Sequence, residues 1–188
     1  MADDSREFAL GAYEKSGIEE LQAKAVTAHL GRLGVKAEAV SHDSLPHRVK
    51  ILPGGLRRRP KVTIVIPSKD APEYIGPCLD SIFTRSSYDN YEVIVVDNGT
   101  TNSQALEILR TYPILRCPFH GPFNFSQANN LAVAQSSGEF VIFMNNDTQV
   151  VTPDWIENML FYFLEYRDVG MVGPLLTYIR TSAYNTLE

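Results

Sequence analysis

The segment Phe140-Val141-Ile142-Phe143-Met144-Asn145-Asn146-Asp147 constrains the fold more than any other. Five apolar residues stop abruptly against three short polar ones. Such a run predicts a strand buried on both faces of a sheet. In open α/β sheets, ligands gather just beyond the carboxyl ends of the strands, where Asn145, Asn146 and Asp147 stand. Asp147 is a hard oxygen ligand, and a neighbouring amide or water can share a divalent cation with it. The same three residues are also good turn formers, so this stretch alone leaves both readings open.

The pattern recurs upstream. Val62-Thr63-Ile64-Val65-Ile66 predicts a buried strand stopped by Pro67, and Tyr91 to Val96 a second one ending at Asp97-Asn98-Gly99. Between them, residues 71–85 read as a helix with Tyr74, Ile75, Cys78, Leu79, Ile82 and Phe83 on one face. Residues 102–112 predict a second helix, 114–116 a third strand and 124–136 a third helix, with Gly138 beyond its end. A helix from Thr152 to about Tyr166, with Pro153 at its favoured first position, and a short strand over Val169–Val172 complete the series. Strand and helix alternate, so the expected class is α/β: a mostly parallel sheet with helices on both faces.

Ahead of this lies a smaller pattern. Ser16-Gly17-Ile18-Glu19 has capping-box spacing, and Ile18, Leu21, Ala25, Ala28 and Leu33 recur at helical intervals up to Gly34. Residues 35–40 and 47–52 read as a hairpin. This α-β-β extension, with its linker, occupies residues 1–56 and leaves 57–188 for the main domain. Arg57-Arg58-Arg59 reads as a solvated linker rather than a lipid or nucleic-acid contact.

Charge narrows the partners. With 17 basic against 22 acidic residues the net charge is −5, which argues against general nucleic-acid binding. Two widely spaced cysteines, Cys78 and Cys117, suit reduced thiols in a cytoplasmic protein. The acidic start lacks a signal-peptide apolar region, and no apolar run approaches the roughly 20 residues of a membrane span.

Three strand ends carry polar groups: Pro67-Ser68-Lys69-Asp70, Asp97-Asn98 and Asn145-Asn146-Asp147. In a parallel sheet all three lie on one edge. Neither G-x-G-x-x-G nor G-x-x-x-x-G-K-[ST] is present, so any nucleotide site must be made from carboxylates and backbone. Asp97 can accept a hydrogen bond from the ring N–H of uracil or thymine, and Asp147 can hold a cation bridging two phosphates.

These pieces resemble the family-2 glycosyltransferases of GT-A fold. The likeness rests on the segments 62–70, Cys78-Leu79-Asp80-Ser81-Ile82, 93–100, Asn124-Phe125-Ser126 with Asn129-Asn130, 143–148 and Thr152-Pro153-Asp154-Trp155. Their order and spacing agree across residues 61–176, and look nearest to bacterial O-antigen and rhamnosyltransferase-like enzymes. The resemblance implies that Pro67, Ser68, Lys69 and Asp97 surround the base and ribose of a UDP- or dTDP-sugar donor, with Asn130 supporting them. It implies that Asn145-Asn146-Asp147 stands for the family's D-x-D motif, with Asp147 and Asn145 on a Mg²⁺ or Mn²⁺ ion. The expected reaction is inverting transfer to a saccharide or lipid-linked acceptor at the inner face of the membrane.

The family's catalytic base comes from a later segment that also builds the acceptor site. Asp154, Glu157, Glu165 and Asp168, the carboxylates after Asp147, read as surface residues. The base is therefore expected beyond residue 188, and the chain reads as an inactive donor-binding fragment; Leu187-Glu188 resembles a cloning scar. A non-catalytic nucleotide-sugar or partner-binding module and a nucleotidyltransferase are the alternatives. An exposed sheet edge or apolar surface would suit a homodimer, and peripheral membrane association is a separate expectation.

Overall fold

The structure is a computed structural model and describes residues 17–42, 48–174 and 176–177. Two compact units emerge. One is drawn from the chain up to Arg57 and from Leu160–Val169; the other from Arg58–Met159 and from Gly170 on.

The first unit starts with helix α1 (Ile18–Arg32), whose N-cap is Gly17; Ser16 lies outside the described residues. The antiparallel pair β1 (Ala37–Ser41) and β2 (Val49–Pro53) follows, with Ala39 opposite Ile51. The Thr27 hydroxyl accepts the Ala39 N–H at 2.8 Å and ties α1 to β1. Leu30, Val35 and Phe161 form the small core, flanked by Ile51 and Leu56. The Glu165 side chain, only 4% exposed, receives Arg57 at 2.8 Å, so it is a buried ion-pair partner and not the surface residue expected.

The second unit carries a four-stranded parallel sheet in the order β5-β4-β3-β6. The strands are β3 (Val62–Ser68), β4 (Tyr91–Asp97), β5 (Leu115–Pro118) and β6 (Phe140–Phe143). Helices α2 (Pro72–Arg85), α3 (Ser103–Thr111), α4 (Phe125–Val133) and α5 (Trp155–Glu165) alternate with them; α5 ends among the residues of the first unit. Val62, Ile64, Val65 and Ile66 are each at most 1% exposed. Burying such a side chain contributes about 1.5–3 kcal/mol, so β3 anchors the unit. Val65, Ile94 and Val96 face Ala128 and Ala132 of α4. Side chains alternate along a strand, so Ile64, Ile66, Val93 and Val95 point to the other face, and they are equally buried.

Three further expectations change. Segment 140–143 is an edge strand, pairing only with β3 among the described residues, and Phe143 is 55% exposed. Residues 169–172 form no strand: Met171 is 89% exposed, and Gly170 and Gly173 break the apolar run. Tyr74 points outward at 52% exposure, although Ile75, Cys78, Leu79 and Ile82 are buried as their spacing predicts. The arginine run stays solvated and is paired at the surface: Arg58 bonds both oxygens of Glu139, while Arg59 meets Asp89 at 2.7 Å and lies 4.5 Å over the Tyr88 ring.

Candidate functional site

Strands β3, β4 and β5 run outward to one side; the chain then returns through α4 to place β6 on the other side of β3. The reversal lies between β3 and β6, and a crevice at the carboxyl ends of such strands is where open α/β sheets bind ligands. Ser68 ends β3 and Asn145-Asn146-Asp147 follows β6. The Asn146 amide Nδ2 donates to Ser68 Oγ at 3.1 Å, and the Ser68 carbonyl accepts the Asn98 N–H at 3.0 Å. Three strand ends are thus joined by two hydrogen bonds.

The turn and the site coincide. Thr148 N–H donates to the Asn145 carbonyl at 3.2 Å, closing a turn around Asn146 and Asp147. That turn leaves the side chains of Asn145 and Asp147 exposed. Beneath it, burial and then the charge of Asp147 push the Cys78 thiol up to about 12. Cys78 therefore stays protonated and is no nucleophile. Among the described residues no three His, Cys, Asp or Glu side chains cluster as a metal site. One carboxylate with a neighbouring amide still suits Mg²⁺ or Mn²⁺, since these ions commonly take one or two carboxylates and complete their shell with phosphates and water.

The loop after β3 is tightly held. Asp70 and Ala71 both adopt left-handed backbone, with φ of 52° and 51°. That costs roughly 1–2 kcal/mol per residue without glycine. Backbone N–H groups of Thr101 and Asn102 each donate to Asp70 Oδ1 at 2.8 Å, and Asp70 N–H donates to the Thr100 hydroxyl at 3.2 Å. Donation by Asn102 and then Thr101 holds the Asp70 carboxyl below its usual range. Lys69, just before, is exposed, and Pro67 is half-buried.

Asp97 is only 3% exposed. Its Oδ1 accepts the Thr100 N–H at 2.8 Å, and its Oδ2 accepts Arg116 Nε at 2.6 Å together with a second donation from Nη2. Burial raises its pKa, but donation from Thr100 and then Arg116 prevails and leaves it below the ordinary value. Arg116 was not visible as a site residue in the sequence. It sits opposite Val95, two positions before the partner of Asp97, which makes the two diagonal neighbours across β4 and β5. On α4, Asn130 is exposed, whereas its neighbour Asn129 is buried, donates to the Phe125 carbonyl at 2.9 Å and leaves Oδ1 without a partner.

Residues 63–187 match the family described as glycosyl transferase family 2. The chain belongs to that family. The family-2 match spans all three strand ends of the site. Among curated relatives, the O-antigen biosynthesis protein RfbC of Myxococcus xanthus is 32% identical over 94% of this chain, which covers 13% of that protein. The O-antigen chain rhamnosyltransferase RfbN of Salmonella typhimurium is 28% identical over 62% of this chain and 37% of its own length. The chain therefore spans a minor part of the curated relatives it matches. Among solved structures, the mannosyltransferase PcManGT of Pyrobaculum calidifontis, in complex with GDP-Man and Mn²⁺, superposes with a TM-score of 0.53 at 20% identity. That superposition covers 79% of this chain and 41% of PcManGT. The family-2 fold here is GT-A: a parallel sheet layered with helices.

Proposed function

We propose that this chain binds the UDP- or dTDP-linked donor of a glycosyltransferase that builds surface polysaccharide. The observation that carries the reading is the Asn146–Ser68 hydrogen bond, which gathers the polar strand ends at the reversal point of the sheet. Family membership and the O-antigen relatives support it. Pro67, Ser68, Lys69 and Asp97 surround the base and ribose, and Asn130 supports the donor site from α4. Asp147, with Asn145, holds Mg²⁺ or Mn²⁺, which supplies Lewis-acid stabilisation of the diphosphate leaving group. The sugar passes with inversion to a saccharide or lipid-linked acceptor on the cytoplasmic side. No helix among the described residues is long and apolar enough to cross a membrane.

Calorimetry with UDP, dTDP and GDP, with and without Mn²⁺, tests the reading. Asp147→Ala is expected to weaken Mn²⁺-dependent UDP or dTDP binding at least tenfold. Asp147 is exposed, so its stability should change by less than about 0.5 kcal/mol. Unchanged metal dependence in the variant would discard the metal role.

The chain by itself is proposed to bind donor without acceptor-dependent turnover. An acceptor hydroxyl needs a positioned base, typically worth about 10²–10⁴ in rate. Two of the carboxylates following Asp147 are at least partly engaged: Glu157 Oε1 accepts from Ser87 at 3.0 Å, and Glu165 pairs with Arg57. Following UDP release from sugar nucleotides with lipid-linked acceptors decides the point; acceptor-dependent release at ordinary enzyme rates would overturn it. A nucleotidyltransferase is disfavoured by the loop after β3, which turns through Asp70 and Ala71 with no glycine-rich phosphate cradle.

A further inference from the structure

We infer that the outward face of α1 docks the first unit on a bilayer surface containing acidic phospholipid. The family match begins at residue 63, so it gives α1 no role. Every residue concerned lies ahead of Arg57, and the inference is independent of the donor-site reading. It starts from the stripe Ile18, Leu21, Ala25 and Ala28, continued by Leu33. A stripe of that spacing ordinarily faces the core. Here the core is met by the other side of the helix. Ala23 and Leu30 are buried, Val26 packs on the cluster of Leu30, Val35 and Phe161, and the Thr27 hydroxyl accepts the Ala39 N–H. The stripe is left facing water: Leu21 is 68% exposed, Leu33 at the C-cap is 59% exposed, and Ala25 and Ala28 are exposed, with Ile18 half-buried. Helix α1 is therefore apolar along two sides, and among the described residues one of them is uncovered over about 20 Å.

The charges of α1 border that stripe. Lys24 is one turn from both Leu21 and Ala28, and Arg32 is one turn beyond Ala28. The acids of the helix, Glu19 and Glu20, are each one turn from buried Ala23 and belong to the inner side. Glu20 is also one turn before Lys24, yet among the described residues no carboxylate pairs with Lys24 or Arg32. Both side chains are exposed. Their long stems let the charges reach headgroups while the stripe rests at the acyl boundary.

Charge complementarity decides what covers this face. An apolar stripe bordered by unpaired cations matches a surface that is apolar within and negative at its boundary, as a leaflet with acidic headgroups is. A second copy is a poor match, because two such faces would set Lys24 and Arg32 against the same cations with no acid between the stripes. Nucleic acid would meet the cations but leave Leu21 and Leu33 in water. The whole chain carries a charge of −5, so the attraction belongs to this face and not to the molecule at large.

The test is co-sedimentation of the full chain with phosphatidylcholine vesicles prepared with and without phosphatidylglycerol. It is run at roughly 0.1 M and 1 M salt, between which the screening length falls from about 10 Å to about 3 Å. The wild type should partition onto the anionic vesicles about tenfold better than onto phosphatidylcholine alone, and should lose that preference at high salt. Lys24→Gln/Arg32→Gln should weaken anionic partitioning at least about tenfold, at about fivefold for each cation removed. Leu21→Gln should weaken it about tenfold, through apolar surface no longer withdrawn from water. Lys36→Gln/Lys50→Gln removes the same charge from exposed positions on the hairpin and should change partitioning by no more than about twofold. All of these side chains are exposed, so every variant should keep the wild-type urea midpoint. A wild type that ignores anionic vesicles overturns the inference. A hairpin variant that loses as much binding as Lys24→Gln/Arg32→Gln overturns it too, since the contact would then be one of diffuse charge. Self-association that Leu21→Gln abolishes, with no vesicle binding, overturns it in favour of a second copy. Duplex DNA bound as tightly as the vesicles, with no loss in Leu21→Gln, overturns it in favour of a phosphate backbone.

Discussion

Replacing Gly138 with alanine is expected to cost about 3 kcal/mol of folding stability, at the upper end of what overpacking a close contact does. A Cβ built at Gly138 would lie 2.5 Å from the Thr63 backbone nitrogen, 2.5 Å from Thr63 Oγ1 and 2.9 Å from the Phe140 carbonyl oxygen. Two of these neighbours are backbone atoms of paired strands, and Thr63 is fully buried, so none can rotate away. Gly138 N–H also donates to Thr63 Oγ1 at 3.0 Å, and the adjoining Glu139 N–H donates to the Lys61 carbonyl at 2.8 Å. These bonds set the register in which Phe140 opposes Val62. A shift of one residue would turn every side chain of β6 to the wrong face and carry Asn146 away from Ser68. Urea denaturation of wild type and Gly138→Ala gives the number. A loss below about 1 kcal/mol would mean that the connection yields, and that the β6 register is set elsewhere.

What was legible in the sequence follows from how local each interaction is. Strands β3 and β4 were plain because they are continuous apolar runs bounded by Pro67 and Asp97-Asn98-Gly99. The α-β-α alternation, and hence the parallel sheet, followed from the same runs. Segment 140–143 has the same appearance, yet it forms an edge, because nothing local reports whether a second strand will pair beyond it. Asn102 and Asn124 lay at the expected starts of α3 and α4, and each accepts a backbone N–H at 3.0 Å as an N-cap should.

The site was partly legible for the same reason. Ser68, Asp97 and Asn145–Asp147 stand out as polar residues at the ends of apolar runs, and the parallel sheet brings those ends to one edge. Arg116 did not stand out, because its partner is 19 positions away and the pairing depends on the register between β4 and β5. The Asp70 clasp on Thr101 and Asn102 was hidden likewise: it depends on two consecutive left-handed residues, for which Asp70-Ala71 gives no glycine signal. Gly138 could be read as a stop after a helix, but not as a close approach to Thr63.

Glu92→Gln is expected to lower stability at neutral pH by about 2 kcal/mol, with the difference shrinking as the solution is acidified. Glu92 lies at the opposite end of β4 from Asp97 and acts as the hub of the Gly138 corner. Its Oε1 accepts Thr63 Oγ1 and Ser137 N–H, each at 2.7 Å; its Oε2 accepts Ser137 Oγ and meets Lys61 Nζ, each at 2.7 Å. Burial works against the charged form, but donation from Lys61, then Ser137 and Thr63, outweighs it and brings the carboxyl from its ordinary 4.5 to about 2. A shift of that size corresponds to roughly 3 kcal/mol. The side chain is 26% exposed, so solvent screening leaves about 2 kcal/mol of it. Because the folded value is depressed, this contribution is fully present above about pH 4.5 and is lost as pH falls through about 2. Glutamine keeps the shape and one carbonyl acceptor, but it carries no charge for Lys61 and places an N–H₂ where two donors converge. Urea denaturation of both proteins at pH 7, 5, 4 and 3 reads the effect as a difference, which cancels the other carboxylates. The gap should be widest at pH 7 and narrow steadily below pH 4.5. A gap of constant size across this range would mean that the loss is one of shape and not of charge, and that Lys61 contributes nothing to the corner that sets β6 against β3.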